Sequence, residues 1–180
     1  MSESQFPFVR NDVLRKNLDQ AFQHVVILLG LSESEQYNRE IQSVFRETVI
    51  IYTASIIEAL LFYLIKSVLS ETDFSVWQWE LKKKNTLYVV DEKCEIVAGT
   101  YQQIEKKTST EKMNLGQINT LLKEKNVINK TLFNKIDYVR VLRNKQHLGT
   151  QKIVKSYSRR DLDDVFEVAR LVKNMVRKES

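Results

Sequence analysis

Apolar residues along most of this chain recur every three or four positions, which is the spacing of one face of an α-helix. The first stripe lies between Asn11 and Leu31 and consists of Val13, Leu14, Leu18, Phe22, Val25, Val26 and Leu29. Gly30 follows this stripe, so we expect the first helix to end there. The pattern Ser32-x-x-Glu35 is typical of a capping box and predicts a second helix that begins there and runs to about Ser70.

The second half of this predicted helix is apolar on nearly all sides. The run from Val49 to Ile65 contains one charged residue, Glu58, near its centre. The run is shorter than the roughly 20 apolar residues that a membrane-spanning helix needs, and a carboxylate is costly in lipid. We therefore expect a helix buried at the centre of a bundle or a dimer, without membrane contact.

Residues 71–108 depart from the helical period. Phe74 to Leu81 alternates in part, and the apolar run from Leu87 to Val90 precedes a short charged turn, Asp91-Glu-Lys93. Partial alternation of aromatic and β-branched residues around a short turn favours a small β-hairpin. The chain is therefore predicted to be a single domain over residues 1–180, with a β-hairpin inserted at 71–108.

Helical spacing returns after the hairpin in three segments. Leu115 to Lys125 and Lys130 to Gly149 each carry an apolar stripe, and Gly149 is a suitable C-terminal stop. Ser158-x-x-Asp161 predicts the start of the last helix. Only four glycines and one proline are available to interrupt the helices. The expected fold class is all-α, or mainly α: a bundle of about five helices with one β-hairpin.

Composition favours a soluble globular protein, with 43% hydrophobic and 28% charged residues. The single cysteine, Cys94, excludes an internal disulfide and a multi-cysteine zinc site, and we expect it to behave as a small hydrophobe. One cysteine and an N-terminus without a signal-peptide pattern favour a reducing, cytoplasmic setting. The sequence supports neither a metal site nor a glycine-rich phosphate loop, so no cofactor is expected.

The net charge of +5 is unevenly distributed. The segment from Lys135 to Arg160 contains eight basic residues and one acid, Asp137, so it carries +7 and the rest of the chain carries −2. The basic residues are Lys135, Arg140, Arg143, Lys145, Lys152, Lys155, Arg159 and Arg160. A charge run is usually a solvated face, but this concentration favours a polyanionic ligand such as RNA.

One cluster within the basic segment indicates chemistry on a phosphodiester: Arg140-Val-Leu-Arg143-Asn144-Lys-Gln-His147. Histidine exchanges a proton near neutral pH. An arginine one helical turn away lies on the same face and can hold a phosphate with its planar guanidinium, while Asn144 can orient either group. The alternative is a surface arginine beside a histidine that stabilises the C-terminus of the helix through the macrodipole.

The segment Arg143-Asn144-Lys-Gln-His147-Leu-Gly149, near the end of a helix, resembles the arginine-to-histidine motif of the HEPN superfamily (higher eukaryotes and prokaryotes nucleotide-binding). The segment from Ala54 to Leu61 is similar to a core helix of that superfamily. The resemblance implies a compact helical bundle, usually a dimer whose two motifs meet across a cleft. It implies either a metal-independent endoribonuclease of bacterial defence or toxin–antitoxin systems, or a non-catalytic partner of nucleotidyltransferases.

The resemblance offers two arginines for the motif. Six residues separate Arg140 from His147, which fits the formal spacing, whereas three separate Arg143 from His147. Arg143 is followed by a polar residue, as the family prefers, and we favour it. Glu58 is either a buried partner of one of these arginines or an edge residue of the core helix.

In RNA cleavage by the 2′-hydroxyl, His147 would transfer a proton and Arg143 or Arg140 would stabilise the charged phosphate. One histidine cannot comfortably serve as acid and base together, so a homodimer would supply the second copy. The residues expected to bind RNA are Lys145, Lys152, Lys155, Arg159 and Arg160.

Two other hypotheses remain open. One is a non-catalytic module of the same fold that binds RNA, a nucleotide or a protein, such as an antitoxin or a nucleotidyltransferase. The other is a helical dimerisation protein whose interface is residues 33–70. His24 is expected to be structural and partly buried, and Trp77 and Trp79 are expected in a core or an interface rather than stacked on RNA bases.

Overall fold

The computed structural model describes residues 3–70, 75–107, 113–145 and 156–179. These residues form five helices and two strands: α1 (Asp12–Ser32), α2 (Arg39–Val68), β1 (Ser75–Asp91), β2 (Cys94–Lys107), α3 (Leu115–Glu124), α4 (Lys130–Asn144) and α5 (Arg159–Glu179). The prediction of a mainly α protein with one small antiparallel hairpin is confirmed. Two compact units separate in the chain, a helical unit (Met1–Val68 with Met113–Ser180) and a hairpin unit (Leu69–Lys112).

The first helix begins as predicted and ends later than predicted. Asn11 is its N-cap, and the side chain of this residue accepts a hydrogen bond from the Leu14 backbone N–H. Gly30 does not end the helix, because its backbone does not adopt the left-handed conformation of a helix-ending glycine. The helix continues to Ser32, and the Glu33 backbone N–H then caps the carbonyls of the last turn.

The capping box predicted at Ser32 and Glu35 is wrong. Ser32 is fully buried, and its hydroxyl donates to the Leu29 carbonyl at 2.8 Å instead of capping a new helix. The second helix begins at Arg39, where the Asn38 side-chain oxygen accepts from the Ile41 backbone N–H at 2.9 Å. Because Ser32 is buried at the end of α1, its hydroxyl bonds within that helix and does not cap the next one.

Helix α2 forms the centre of the helical unit. It packs chiefly against α1 and α5. Its buried residues are Val49, Ile50, Thr53, Ala54, Ile56, Ile57, Leu60, Leu61, Leu64 and Ile65. By length and composition α2 could cross a membrane, but core helices pass the same test, and 56% of its most apolar stretch is buried within the protein.

Three shorter helices complete the helical unit. Asn114 and Asn129 cap the starts of α3 and α4 with their side chains. The capping box predicted for the last helix is confirmed: the Asp161 carboxylate accepts from the Ser158 backbone N–H at 2.7 Å, and the Ser158 hydroxyl accepts from the Asp161 backbone N–H at 3.2 Å. Helix α4 ends at Asn144, earlier than the predicted stop at Gly149, which lies outside the described residues.

The hairpin unit pairs β1 with β2 in antiparallel register around the turn Glu92-Lys93. Lys83, with a φ of 49°, lies at the first of three register shifts. Trp79 is 66% exposed, so it does not lie in the core, and its place in an interface stays a prediction; the side chain of Trp77 lies outside the described part. Cys94 is exposed, and the expectation that it behaves as a small hydrophobe stays a prediction.

Candidate functional site

A cavity of about 320 Å³ lies where α2, α3 and α4 meet. Its lining is mainly polar and consists of Glu58, Asn114, Leu115, Gly116, Arg140, Arg143 and Asn144. We refer to it as the polar cavity. Three of the residues singled out in the α4 motif therefore lie around one space, together with the one acid of the apolar core helix.

An ion pair between Glu58 and Arg143 joins two walls of the polar cavity. The Arg143 Nη1 donates to the Glu58 Oε2 at 2.6 Å, across 85 positions of sequence. The two side chains are 30% and 24% exposed, so the pair is half-buried. A charge-assisted bond of this kind fixes the direction of the guanidinium. Of the two roles predicted for Glu58, the contact corresponds to that of arginine partner.

Arg140 is held differently, by its own helix and by a close neighbour on α3. Its Nε donates to the Asp137 Oδ1 at 2.7 Å, one turn back along α4. A Cβ atom on Gly116 would lie 3.1 Å from the Arg140 Cδ, which is closer than ordinary van der Waals contact. The missing side chain of Gly116 therefore gives Arg140 room to lie against the start of α3.

The N-terminus of α3 borders the same cavity. The Asn114 side-chain oxygen accepts from the Gln117 backbone N–H at 3.1 Å, and the Gln117 side-chain oxygen accepts from the Asn114 backbone N–H at 3.0 Å. This capping box fixes where α3 starts. The positive end of its macrodipole adds to the charge of the two arginines. With Glu58 counted, the charged side chains lining the cavity sum to +1.

The structure brings together only part of the predicted site. Arg140, Arg143, Asn144 and Glu58 all line the polar cavity. Lys145, the next residue, is the C-cap of α4. His147, Lys152 and Lys155 lie outside the described residues.

The two remaining candidates for RNA binding lie on the first turn of α5. Arg159 forms ion pairs with Glu33 and with Asp163. Arg160 is exposed. Neither residue lines the polar cavity.

The described part of the basic segment is less positive in space than along the sequence. Lys135 pairs with Glu167 at 2.7 Å, and Arg140, Arg143 and Arg159 are also in ion pairs. Apart from Asp137, these acidic partners come from other parts of the chain: the end of α1, the middle of α2 and α5. A count of charge along the segment alone therefore overstates its local field.

Two residues of the polar cavity, Asn114 and Gly116, were missed by sequence reasoning. Asn114 and Gln117 have the spacing of a capping box, so the start of α3 beside the motif was open to prediction. Gly116 is an isolated glycine inside a helical pattern, which often marks close packing, but the sequence does not indicate its neighbour.

The other histidine, His24, has a structural environment. Its half-buried ring packs edge-on against Tyr52, with 5.2 Å between ring centroids. His24 does not line the polar cavity. In the part of the chain that the structure describes, no group of three or more His, Cys, Asp or Glu side chains could hold a metal ion.

Comparisons of the chain with protein-family models, with curated proteins and with solved structures found no match.

Proposed function

We propose that this chain is a HEPN-type, metal-independent endoribonuclease that acts as a homodimer in a bacterial defence or toxin–antitoxin setting in the cytoplasm. The observation that carries the proposal is the convergence of Arg140, Arg143 and Asn144 on one cavity. His147 follows Asn144 by three positions in the sequence. The proposal thus rests on phosphate-binding side chains gathered directly before a group that transfers protons near neutral pH.

Within the described residues, both arginines keep donors for a phosphate. A guanidinium has five N–H groups in a planar fork. The described bond to Glu58 uses one nitrogen of Arg143, and the bond to Asp137 uses Nε of Arg140. The remaining donors would hold the phosphate and stabilise the charge that develops when the 2′-hydroxyl attacks it. We favour Arg143 for this role because Glu58 orients it.

His147 would transfer the proton, and Asn144 would orient the arginine or the phosphate. Because each chain has one such histidine, a homodimer would supply both the acid and the base. Flanking cations would bind the RNA backbone, and we assign this role to Lys145, Lys152, Lys155, Arg159 and Arg160. An antitoxin or a nucleotidyltransferase is the proposed protein partner.

The test compares the two histidines of the chain. We expect His147→Ala to lower the rate of RNA cleavage in EDTA by about 10²–10⁴-fold, the usual contribution of a general acid or base. His24→Gln is the matched control and should cleave at close to the wild-type rate. A folded His147→Ala variant that cleaves as fast as the wild type would show that the mechanism is wrong.

A second candidate is a non-catalytic module of the same fold that binds RNA, a nucleotide or a protein. The ion pair between Glu58 and Arg143 favours it, because a paired arginine also serves as a structural link between helices. This candidate predicts RNA binding that weakens steeply with salt and yields no cleavage products. Cleavage by the wild type in EDTA would exclude it.

A further inference from the structure

The helical unit contains a second cavity, which we call the apolar cavity. Its volume is about 290 Å³, and it lies between the N-terminal segment, α1, α2 and α5. The apolar side chains around it include Phe6, Phe22, Ile56, Leu60, Phe166 and Ala169. Two cations, Arg170 and Lys173, also line it.

Apart from its two cations, the described lining of the apolar cavity offers no free hydrogen-bond donor to a ligand. Thr53 is the one uncharged polar residue among those that line it. Its hydroxyl already donates to the Val49 carbonyl at 2.8 Å, within α2. A sugar or a nucleotide base would leave its own polar groups unpaired in such a space, which is costly. The cavity therefore suits a hydrocarbon or aromatic group.

The cationic side of the cavity suits an anion. Arg170 and Lys173 are three positions apart on α5, on one helix face, and none of the described residues that line the cavity is an acid. The Lys173 Nζ lies 5.0 Å from the centre of the Phe6 ring. Burial, and then the charge of Arg177, lowers the pKa of Lys173, while Asp19 opposes this shift. An ammonium held partly out of water gains from an anionic partner.

We propose that the apolar cavity binds a small carboxylate with an aromatic or alkyl body, whose body fills the cavity while its carboxylate meets Lys173 and Arg170. The volume fits this class of ligand, because a cavity of about 150 Å³ holds a benzene molecule. A space of about 290 Å³ therefore accommodates one ring with a short chain. This site is separate from the proposed ribonuclease site and does not depend on it.

Titration calorimetry with 4-phenylbutyrate tests the proposal on the full-length wild type. The neutral 4-phenylbutanol and the cationic 4-phenylbutylamine have the same hydrocarbon body. We expect the carboxylate to bind about tenfold more tightly than the alcohol, since one charge-assisted contact is worth about that factor. The amine should bind more weakly than the alcohol. Equal affinity for the acid and the alcohol, or no binding of 4-phenylbutyrate, would overturn the proposal.

Two variants locate the binding. Ala169→Phe fills the cavity and should abolish binding of 4-phenylbutyrate. Lys173→Met keeps the length of the side chain and should weaken binding of the acid about tenfold while leaving the alcohol unchanged. Lys178→Met is the control, because Lys178 is exposed on the same helix and does not line the cavity.

The two variants test the location of the ligand independently. Wild-type affinity in a folded Ala169→Phe protein would mean that the acid binds elsewhere. If circular dichroism shows that Ala169→Phe does not fold, the affinity of Lys173→Met for 4-phenylbutyrate alone tests where the ligand binds. An unchanged affinity of Lys173→Met for the acid would also overturn the proposal.

Discussion

Helix α2 lines two cavities of similar volume and opposite chemistry. Glu58 faces the polar cavity of about 320 Å³, whereas Ile56 and Leu60 face the apolar cavity of about 290 Å³. Side chains two positions apart on a helix are rotated by about 200° around the helix axis. Glu58 therefore lies on the opposite side of α2 from Ile56 and Leu60. Helix α2 therefore separates the polar cavity from the apolar cavity.

The difference shows that similar voids depend on different interactions. The polar cavity is held by a bond between residues 85 positions apart and by hydrogen bonds that start α3. The apolar cavity is held by side-chain packing around Thr53, whose one polar group is satisfied within its own helix. Removal of Glu58 or Arg143 should therefore disturb the polar cavity alone. Truncation of a buried apolar side chain of α2 should disturb both cavities.

The largest effect is expected for Ile57→Ala, on helix α2, which lines both cavities. Ile57 is completely buried, and in the sequence it lies between Ile56 and Glu58. Truncation of a buried isoleucine costs about 2–5 kcal/mol in the free energy of unfolding. Urea unfolding measures this loss, and Val44→Ala is the control, since Val44 is 59% exposed on the same helix. Equal losses in the two variants would mean that α2 is not the centre of the core.

An intermediate effect is expected for Glu58→Ala, which leaves Arg143 half-buried without its partner. The loss should be about 1–2 kcal/mol, between the values for exposed and buried ion pairs. A double-mutant cycle with Arg143→Met in urea unfolding isolates the pair itself. Binding of 4-phenylbutyrate should stay unchanged, because Glu58 does not line the apolar cavity. A coupling energy of zero would contradict the contact.

A smaller effect, dependent on pH, is expected for Asp161→Asn at the start of α5, which carries Ala169 and Lys173. Burial alone would raise the pKa of Asp161, but hydrogen bonds from Ser158 and Tyr138 and the charge of Lys145 lower it overall. A lowered pKa stabilises the folded state above the unfolded pKa, near 4, and this contribution disappears as the pH falls through the folded value.

Asp161→Asn should therefore cost about 1 kcal/mol at pH 7 and progressively less below about pH 4. Urea unfolding at several pH values measures this difference from the wild type. Asp163→Asn, on the same turn and exposed, is the comparison. A deficit of Asp161→Asn that is constant with pH would contradict the role of its carboxylate.

The smallest effect on stability is expected for Gly116→Ala, which tests the polar cavity alone. Alanine favours a helix over glycine by about 0.5–1 kcal/mol, but its Cβ would press on the Arg140 side chain. The two effects oppose each other, so the free energy of unfolding should change by less than about 1 kcal/mol. RNA cleavage should fall because Arg140 must shift. An undiminished rate would remove Arg140 from the proposed mechanism.

Sequence patterns predicted elements well where the local signal and tertiary burial agree. Ser158 and Asp161 start α5 as expected, because three of the hydrogen bonds described for their side chains join the two residues to each other. Ser32 has an equally good local pattern, but its complete burial turns the hydroxyl back to Leu29. The same kind of motif is therefore a reliable predictor on the surface and an unreliable one at a packed helix end.

The two cavities were not equally open to prediction. The polar cavity was partly foreseen, because Arg140, Arg143 and Asn144 stand close together in the sequence and Glu58 is the one acid in an apolar run. The apolar cavity was not foreseen, because a hydrophobic stripe specifies which residues are buried and not where packing leaves a void.

Ion pairs between residues far apart in the sequence are the second feature that the sequence does not predict. Arg159 was expected to bind RNA, and in the fold it pairs with Glu33, which is far from it in sequence. Charge counted along a segment cannot include such partners. The same limit left the role of Glu58 open until its contact with Arg143 was seen.

The exposed Cys94 bears on how a dimer of this protein is to be recognised. It is the single thiol of the chain and lies directly after the turn of the hairpin. Two copies exposed to air can therefore join covalently through one disulfide, whatever the affinity between their helical units. A dimer that disappears on addition of reductant reports this oxidation, and only one that persists bears on a shared ribonuclease site.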